Sequence, residues 1–152
     1  MPAIRIGCHA PDFVLRDQHN REFRLRDLRG RKVLLSFHPL AWTKVCARQM
    51  QALEKSFAQL DLANTLPVGL SVDTVPSKHF WAKSLKVKKL QMLSDFWPHG
   101  KVAKAYGIFR SEGFSERANI LVDEFGRVSW VKVYPIKELP DLGEIFKVLF
   151  KR

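Results

Sequence analysis

The chain has 152 residues, enough for one domain with a substantial core, and 46% hydrophobic with 27% charged residues is ordinary for a globular protein. No apolar run approaches the roughly 20 residues of a membrane-spanning helix, the first seven residues lack a signal-peptide apolar stretch, and two cysteines make no disulfide framework; a reducing cytoplasm is expected. The balance is basic, with 26 Lys and Arg against 15 Asp and Glu giving +11, a charge that suits nucleic acid, anionic lipid, acidic partners or simply a solvated surface.

Pro11 blocks helix, and Phe13-Val14-Leu15 begins a short strand. Asp17-Gln18-His19-Asn20 reads as a turn, and Glu22-Phe23-Arg24-Leu25 returns, giving an N-terminal hairpin. Leu28 to Lys32 is a second break. Val33-Leu34-Leu35-Ser36-Phe37 then has the length and flanks of a buried strand.

A corner follows, Pro39-Leu40-Ala41-Trp42-Thr43-Lys44-Val45-Cys46. Beyond it Met50, Leu53, Phe57 and Leu60 recur at the spacing of one buried helix face, so a helix is expected from Thr43 to about Leu62–Asn64. Thr43 is a good N-cap, which makes Cys46 the third helical residue. First-turn N–H groups have no helical acceptor and carry partial positive charge. A thiolate there is stabilised, and the thiolate is the nucleophilic form of cysteine. Lys44 and Arg48 push the same way if their heads lie close. A small buried apolar residue at a helix start is the other reading, and position alone does not choose between them.

Pro67 to Val72 is the next buried strand, and Pro76 suits the first turn of a helix. His79 to Leu85 reads as helix, with Phe80, Trp81 and Leu85 as packing residues. Leu90 to Leu93 is a short strand, Ser94 to Gly100 a loop, and Val102 to Tyr106 a short helix stopped by Gly107. Ala118 to Val122 and Val128 to Tyr134 flank the turn Asp123-Glu124-Phe125-Gly126. Leu142, Ile145, Phe146 and Leu149 give the last helix a core face. Strands alternating with helices, then a hairpin and a terminal helix, suit a single α/β domain over 1–152 with a central mixed sheet.

Pro39-x-x-x-Thr43-x-x-Cys46 with Trp42 resembles the active-site signature of peroxiredoxins, the alkyl hydroperoxide reductase and thiol-specific antioxidant family. Four further blocks, in family order, resemble it too. They are Ala10-Pro11-Asp12-Phe13; Gly69-Leu70-Ser71-Val72-Asp73 with Ser77 and Trp81; Leu93-Ser94-Asp95-Phe96 through Ala105-Tyr106-Gly107; and Arg117-Ala118-Asn119-Ile120-Leu121-Val122-Asp123 with Gly126. The Pro-Leu-Ala-aromatic-Thr wording and the Phe96-Trp97-Pro98-His99-Gly100 loop are closest to short one-cysteine members.

The resemblance implies a thioredoxin-like fold and a thiol peroxidase acting on hydrogen peroxide and organic hydroperoxides. It makes Cys46 the peroxidatic cysteine, oxidised to sulfenic acid, and Arg117 the cation that holds the thiolate and polarises peroxide. A surface arginine beside Glu116 is the plainer reading of Arg117. Thr43 supplies a hydroxyl that can accept from an N–H and donate toward peroxide, and Pro39 shapes and shields the pocket. Gln49 departs from the glutamate usual in the family and brings an acceptor without charge. The family also implies a homodimer and no cofactor.

No cysteine follows Cys46, so a one-cysteine mechanism with an external thiol is expected, the reductant being thioredoxin-like, glutaredoxin-like or of low molecular weight. Cys46-Ala47-Arg48-Gln49 also lacks the second thiol of a disulfide reductase. No histidine stands at metal-ligand spacing with the cysteines. The seven basic residues from Arg16 to Lys32, and Lys83, Lys86, Lys88 and Lys89, lie in amphipathic or turn-rich segments rather than on a recognition helix, which argues against specific nucleic-acid binding. A redox sensor using the same Cys46, or a basic interaction protein on this scaffold, are the competing functions.

Overall fold

The computed structural model describes residues 2–151. In chain order the elements are β1 (Val14–Arg16), β2 (Glu22–Arg24), a 3-10 turn (Leu25–Leu28), β3 (Lys32–Phe37), α1 (Lys44–Lys55), α2 (Phe57–Leu62), β4 (Thr65–Ser71), α3 (Val75–Leu85), β5 (Gln91–Ser94), α4 (Lys101–Ala105), β6 (Arg117–Val122), β7 (Val128–Tyr134) and α5 (Leu142–Leu149). One mixed sheet runs β2-β1-β5-β4-β3-β6-β7. β3, β4 and β5 are parallel, because helices cross between them, and the outer strands are antiparallel. The thioredoxin-like α/β sandwich and its N-terminal hairpin are as expected. That hairpin joins the sheet through the single pair Arg16–Ser94, and Gln18 extends the join by bonding Leu90 and Met92.

Alternation along β3 sets the two core layers. Val33, Leu35 and Phe37 pack on one face with Phe13, Ile120 and Tyr106. Leu34 packs on the other with Met50, Leu53, Trp81 and Ile145, beneath α1, α3 and α5. Ser36 shares the parity of Leu34 and meets Gln49 of α1, and His38 beyond the strand lies against Trp81. The polar end of β3 therefore lies under the first turns of α1 and α3.

Three expectations are corrected. The helix expected to run unbroken past Leu60 divides at Ser56, whose backbone (φ −94°, ψ 6°) leaves the α region. The redirection keeps Leu60 fully buried on the same face as Met50 and Leu53. α3 begins at Val75 rather than His79, because Thr74 caps it by accepting from Ser77 N–H and Pro76 fits its first turn. Phe80 is exposed, not packed. Lys78, Trp81, Ala82 and Leu85 fall on one helical stripe, and Phe80 lies about 100° from Trp81.

Gly69 of β4 packs against Met50 of α1 and the His38 ring. A Cβ there would overlap Met50 Sδ and lie 3.5 Å from His38 Cε1. Gly69→Ala should therefore lower stability by about 1–2 kcal/mol through overpacking, read as a reduced urea midpoint with unchanged m-value.

Candidate active site

The corner between β3 and α1 is held from three sides. Trp42 takes a left-handed conformation (φ 66°), and its indole N–H donates to Ser77 Oγ at 3.0 Å, tying the corner to α3. Ala41 N–H donates to Asp73 Oδ2 at 2.7 Å, tying it to the end of β4. Thr43 takes the N-cap backbone position, but its hydroxyl does not cap. The hydroxyl instead donates to the Leu40 carbonyl at 2.8 Å and closes the turn through the side chain. With that proton directed at Leu40, the hydroxyl oxygen is left as an acceptor facing the corner. The first helical bond runs from Ala47 N–H to Thr43 O, so the Cys46 N–H stands before the ladder begins.

Cys46 is fully buried, and Arg117 at the start of β6 reaches it. Arg117 Nη1 donates to Cys46 Sγ at 3.3 Å and to Gln49 Oε1 at 2.8 Å, while Nε donates to Ile136 O at 2.8 Å. Arg117 is only 3% exposed, so it is not the surface arginine of the plainer reading. All three acceptors are neutral when Cys46 is a thiol. Of the three, only the sulfur can become an anion, so the guanidinium is placed against the one atom able to pair with it as an ion. Gln49 does more than replace a carboxylate: its amide donates to Ser36 Oγ (2.7 Å) and Phe37 O (3.1 Å), and Ser36 donates on to Asn119 (2.7 Å). A glutamate could accept from Arg117 but could not make those donations.

Pro39, Thr43, Phe114, Arg117 and Ile136 line one opening at this corner. All four residues singled out from the sequence, Cys46, Arg117, Thr43 and Pro39, therefore meet in one place. Lys44 also lines the opening, whereas Arg48 is exposed and makes no ion pair among the described residues.

The sequence profile of the AhpC/TSA family matches residues 6–131. The chain belongs to that family; it is a peroxiredoxin. Alkyl hydroperoxide reductase E of Mycobacterium tuberculosis is 35% identical over 140 residues, 91% of each chain. The reduced 2-Cys peroxiredoxin of Plasmodium vivax superposes with a TM-score of 0.88 at 28% identity, over 95% of this chain and 79% of that one. AhpC of Mycobacterium tuberculosis shares the fold, with a TM-score of 0.86 at 20% identity and 97% of both chains covered.

The other cysteine of this peroxiredoxin lies elsewhere. Cys8 is exposed, and its carbonyl accepts from Val128 N–H at the start of β7. Val128 pairs with Val122, at the far end of the β6–β7 hairpin from Arg117. Five strand residues separate the two ends, about 16 Å.

Two groups at the site escaped the sequence reading. His38 is fully buried, with neither ring nitrogen in full hydrogen-bond geometry among the described residues. Burial first, then the Lys78 and Arg117 cations, hold it well below the usual imidazole range, against a weaker pull from a Ser36 backbone acceptor. Lys78 is the second, and is equally buried. The only signal for either was parity: His38 continues Leu34 and Ser36, and Lys78 continues Trp81 and Leu85.

His38 stays neutral in the fold but titrates near 6.5 in the unfolded chain. Below that pH the unfolded chain binds a proton that the folded chain refuses, so stability falls as pH falls. His38→Phe should remove up to about 1.4 kcal/mol of this loss per pH unit below 6.5, measured as a flatter dependence of urea midpoint on pH.

Proposed function

We propose that this peroxiredoxin is a thiol-dependent peroxidase that reduces hydrogen peroxide and organic hydroperoxides through a Cys46 sulfenic acid, with an external thiol as reductant. The observation that carries the reading is the Arg117–Cys46 contact in a buried site beside an open mouth. The Cys46 thiolate attacks one peroxide oxygen, a sulfur–oxygen bond forms as the oxygen–oxygen bond breaks, and the departing alkoxide or hydroxide takes a proton. Arg117 steadies the charge as it passes from sulfur to the leaving oxygen. Its Nη2 has no protein acceptor among the described residues and is free for a peroxide oxygen. Thr43 Oγ1 accepts from the hydroperoxide O–H, and the Cys46 N–H donates to an oxygen. Pro39 walls the sulfur from water. Leu40, Val45, Phe114 and Ile136 give the mouth an apolar lining that suits an alkyl hydroperoxide.

An external thiol then attacks the sulfenic sulfur and releases water, giving a mixed disulfide, and a second thiol frees Cys46. The reductant is a thioredoxin-like or glutaredoxin-like protein or a small thiol, in a reducing cytoplasm. The position of Cys8 supports the one-cysteine form: a disulfide needs Cα atoms within about 7 Å, well short of a strand's length. Exposed Leu40, Phe96 and Trp97 offer apolar surface for the homodimer that the family resemblance implies.

Cys46→Ser should abolish peroxide consumption in a folded protein, and Cys8→Ser should keep wild-type turnover with the same reductant. One equivalent of peroxide added without reductant should raise the intact mass by one oxygen. Loss of two hydrogens with a Cys8–Cys46 peptide would overturn the one-cysteine form, and peroxide consumption by Cys46→Ser would overturn the reading itself. A redox sensor on the same thiol would oxidise once but not turn over with excess reductant.

A further inference from the structure

Arg117 stands on a closed circuit of buried side chains. Its Nη1 donates to Gln49 Oε1 at 2.8 Å, Gln49 Nε2 donates to Ser36 Oγ at 2.7 Å, and Ser36 Oγ donates to Asn119 Oδ1 at 2.7 Å. The path leaves β6 at Arg117, crosses α1 and β3, and returns to β6 two residues on, at Asn119. Strand geometry puts Arg117 and Asn119 on one face of the sheet, and Ser36 is the cross-strand partner of Asn119. All four residues are buried, so no water competes freely for these bonds.

Every bond in the circuit points the same way. A guanidinium can only donate, so Gln49 turns its oxygen to Arg117 and its amide N–H groups to β3. The Phe37 carbonyl, which can only accept, takes an N–H at 3.1 Å. Ser36 Oγ takes another through a lone pair, and its own proton goes to Asn119 Oδ1. Asn119 Nδ2, by contrast, is buried with no hydrogen bond in full geometry among the described residues. A buried donor without an acceptor is unfavourable, so what this amide contributes is its oxygen.

Resting on the reading of Cys46 as the reacting thiol, we propose that Ser36 and Asn119 are positioning residues that hold the Arg117 guanidinium toward the peroxide site. They act through Gln49; neither bonds the sulfur or lines the mouth. Two bonds, Nε to Ile136 O and Nη1 to Gln49 Oε1, set the plane of the guanidinium. The first acceptor is backbone and cannot turn. The second is the end of a side chain and is steady only while its amide is held at β3. Loss of the Ser36 hydroxyl or of the Asn119 oxygen loosens that hold, and the guanidinium loosens with it. A donor that must meet charge developing on a leaving oxygen is sensitive to such a loss of position.

The test reads Arg117 first and the reaction second. In protein labelled with nitrogen-15 at arginine, NMR of the wild type should show two separate Nη signals for Arg117, because the guanidinium is held. In Ser36→Ala and Asn119→Leu the two should merge. Gly69→Ala, which crowds the same layer without entering the circuit, should keep them apart. Oxidation of Cys46 by hydrogen peroxide, followed by rapid mixing, should be about tenfold slower in Ser36→Ala and Asn119→Leu than in wild type. Should Asn119→Leu fail to fold, Ser36→Ala decides alone. Signals merged already in wild type, separate signals in folded Ser36→Ala, merging in Gly69→Ala as well, or merged signals with a wild-type oxidation rate would each overturn the proposal. A wild-type protein inert to peroxide would sink the peroxidase reading, and the NMR signals alone would then decide whether the circuit holds Arg117.

Discussion

The structure depends on one contact, a buried guanidinium bonded to a buried sulfur. Arg117 and Cys46 are each withdrawn from water, and the arginine's other acceptors are the neutral Gln49 amide and the Ile136 carbonyl. In so dry a site, charge is tolerated only when balanced. The thiolate is the one partner of Arg117 that can supply the balance.

The fold supplies the two sides of that contact from different places. Arg117 begins β6, next to the Phe37–Ala118 pair, so the sheet fixes its backbone. Cys46 is in the first turn of α1, and α1 is held by the Asp73 and Ser77 latches on its entry loop. Gln49 spans the gap, bonding Arg117 on one side and the β3 residues Ser36 and Phe37 on the other. A neutral amide in that position has a consequence for the chemistry. A carboxylate would share the positive charge of Arg117, whereas glutamine leaves it to the sulfur and to an incoming oxygen.

Much of this was legible in the sequence because it follows local rules. The apolar run Val33–Phe37, the break at Pro39 and the period Met50–Leu53–Leu60 give a strand, a corner and a helix without further information. Motif order then points to Cys46, Arg117, Thr43 and Pro39. What stayed hidden needs three-dimensional neighbours. The turn around Trp42 takes the Thr43 hydroxyl away from capping, and propensity alone cannot foresee that. A lysine flanked by Ser77 and His79 looks solvated until α3 is seen to begin at Val75, which turns Lys78 inward and Phe80 outward. The divided helix at Ser56 has no breaker residue to announce it.

The central claim is that the Arg117 charge, rather than the shape of the pocket, makes Cys46 reactive. The direct measurement is the rapid-mixing rate of Cys46 oxidation by hydrogen peroxide in wild type and Arg117→Met. Methionine keeps much of the bulk and deletes the cation. The expected result is a rate lower by about a hundredfold or more, since a buried charge-stabilising donor is worth several kcal/mol. An oxidation rate equal to that of wild type would contradict the account.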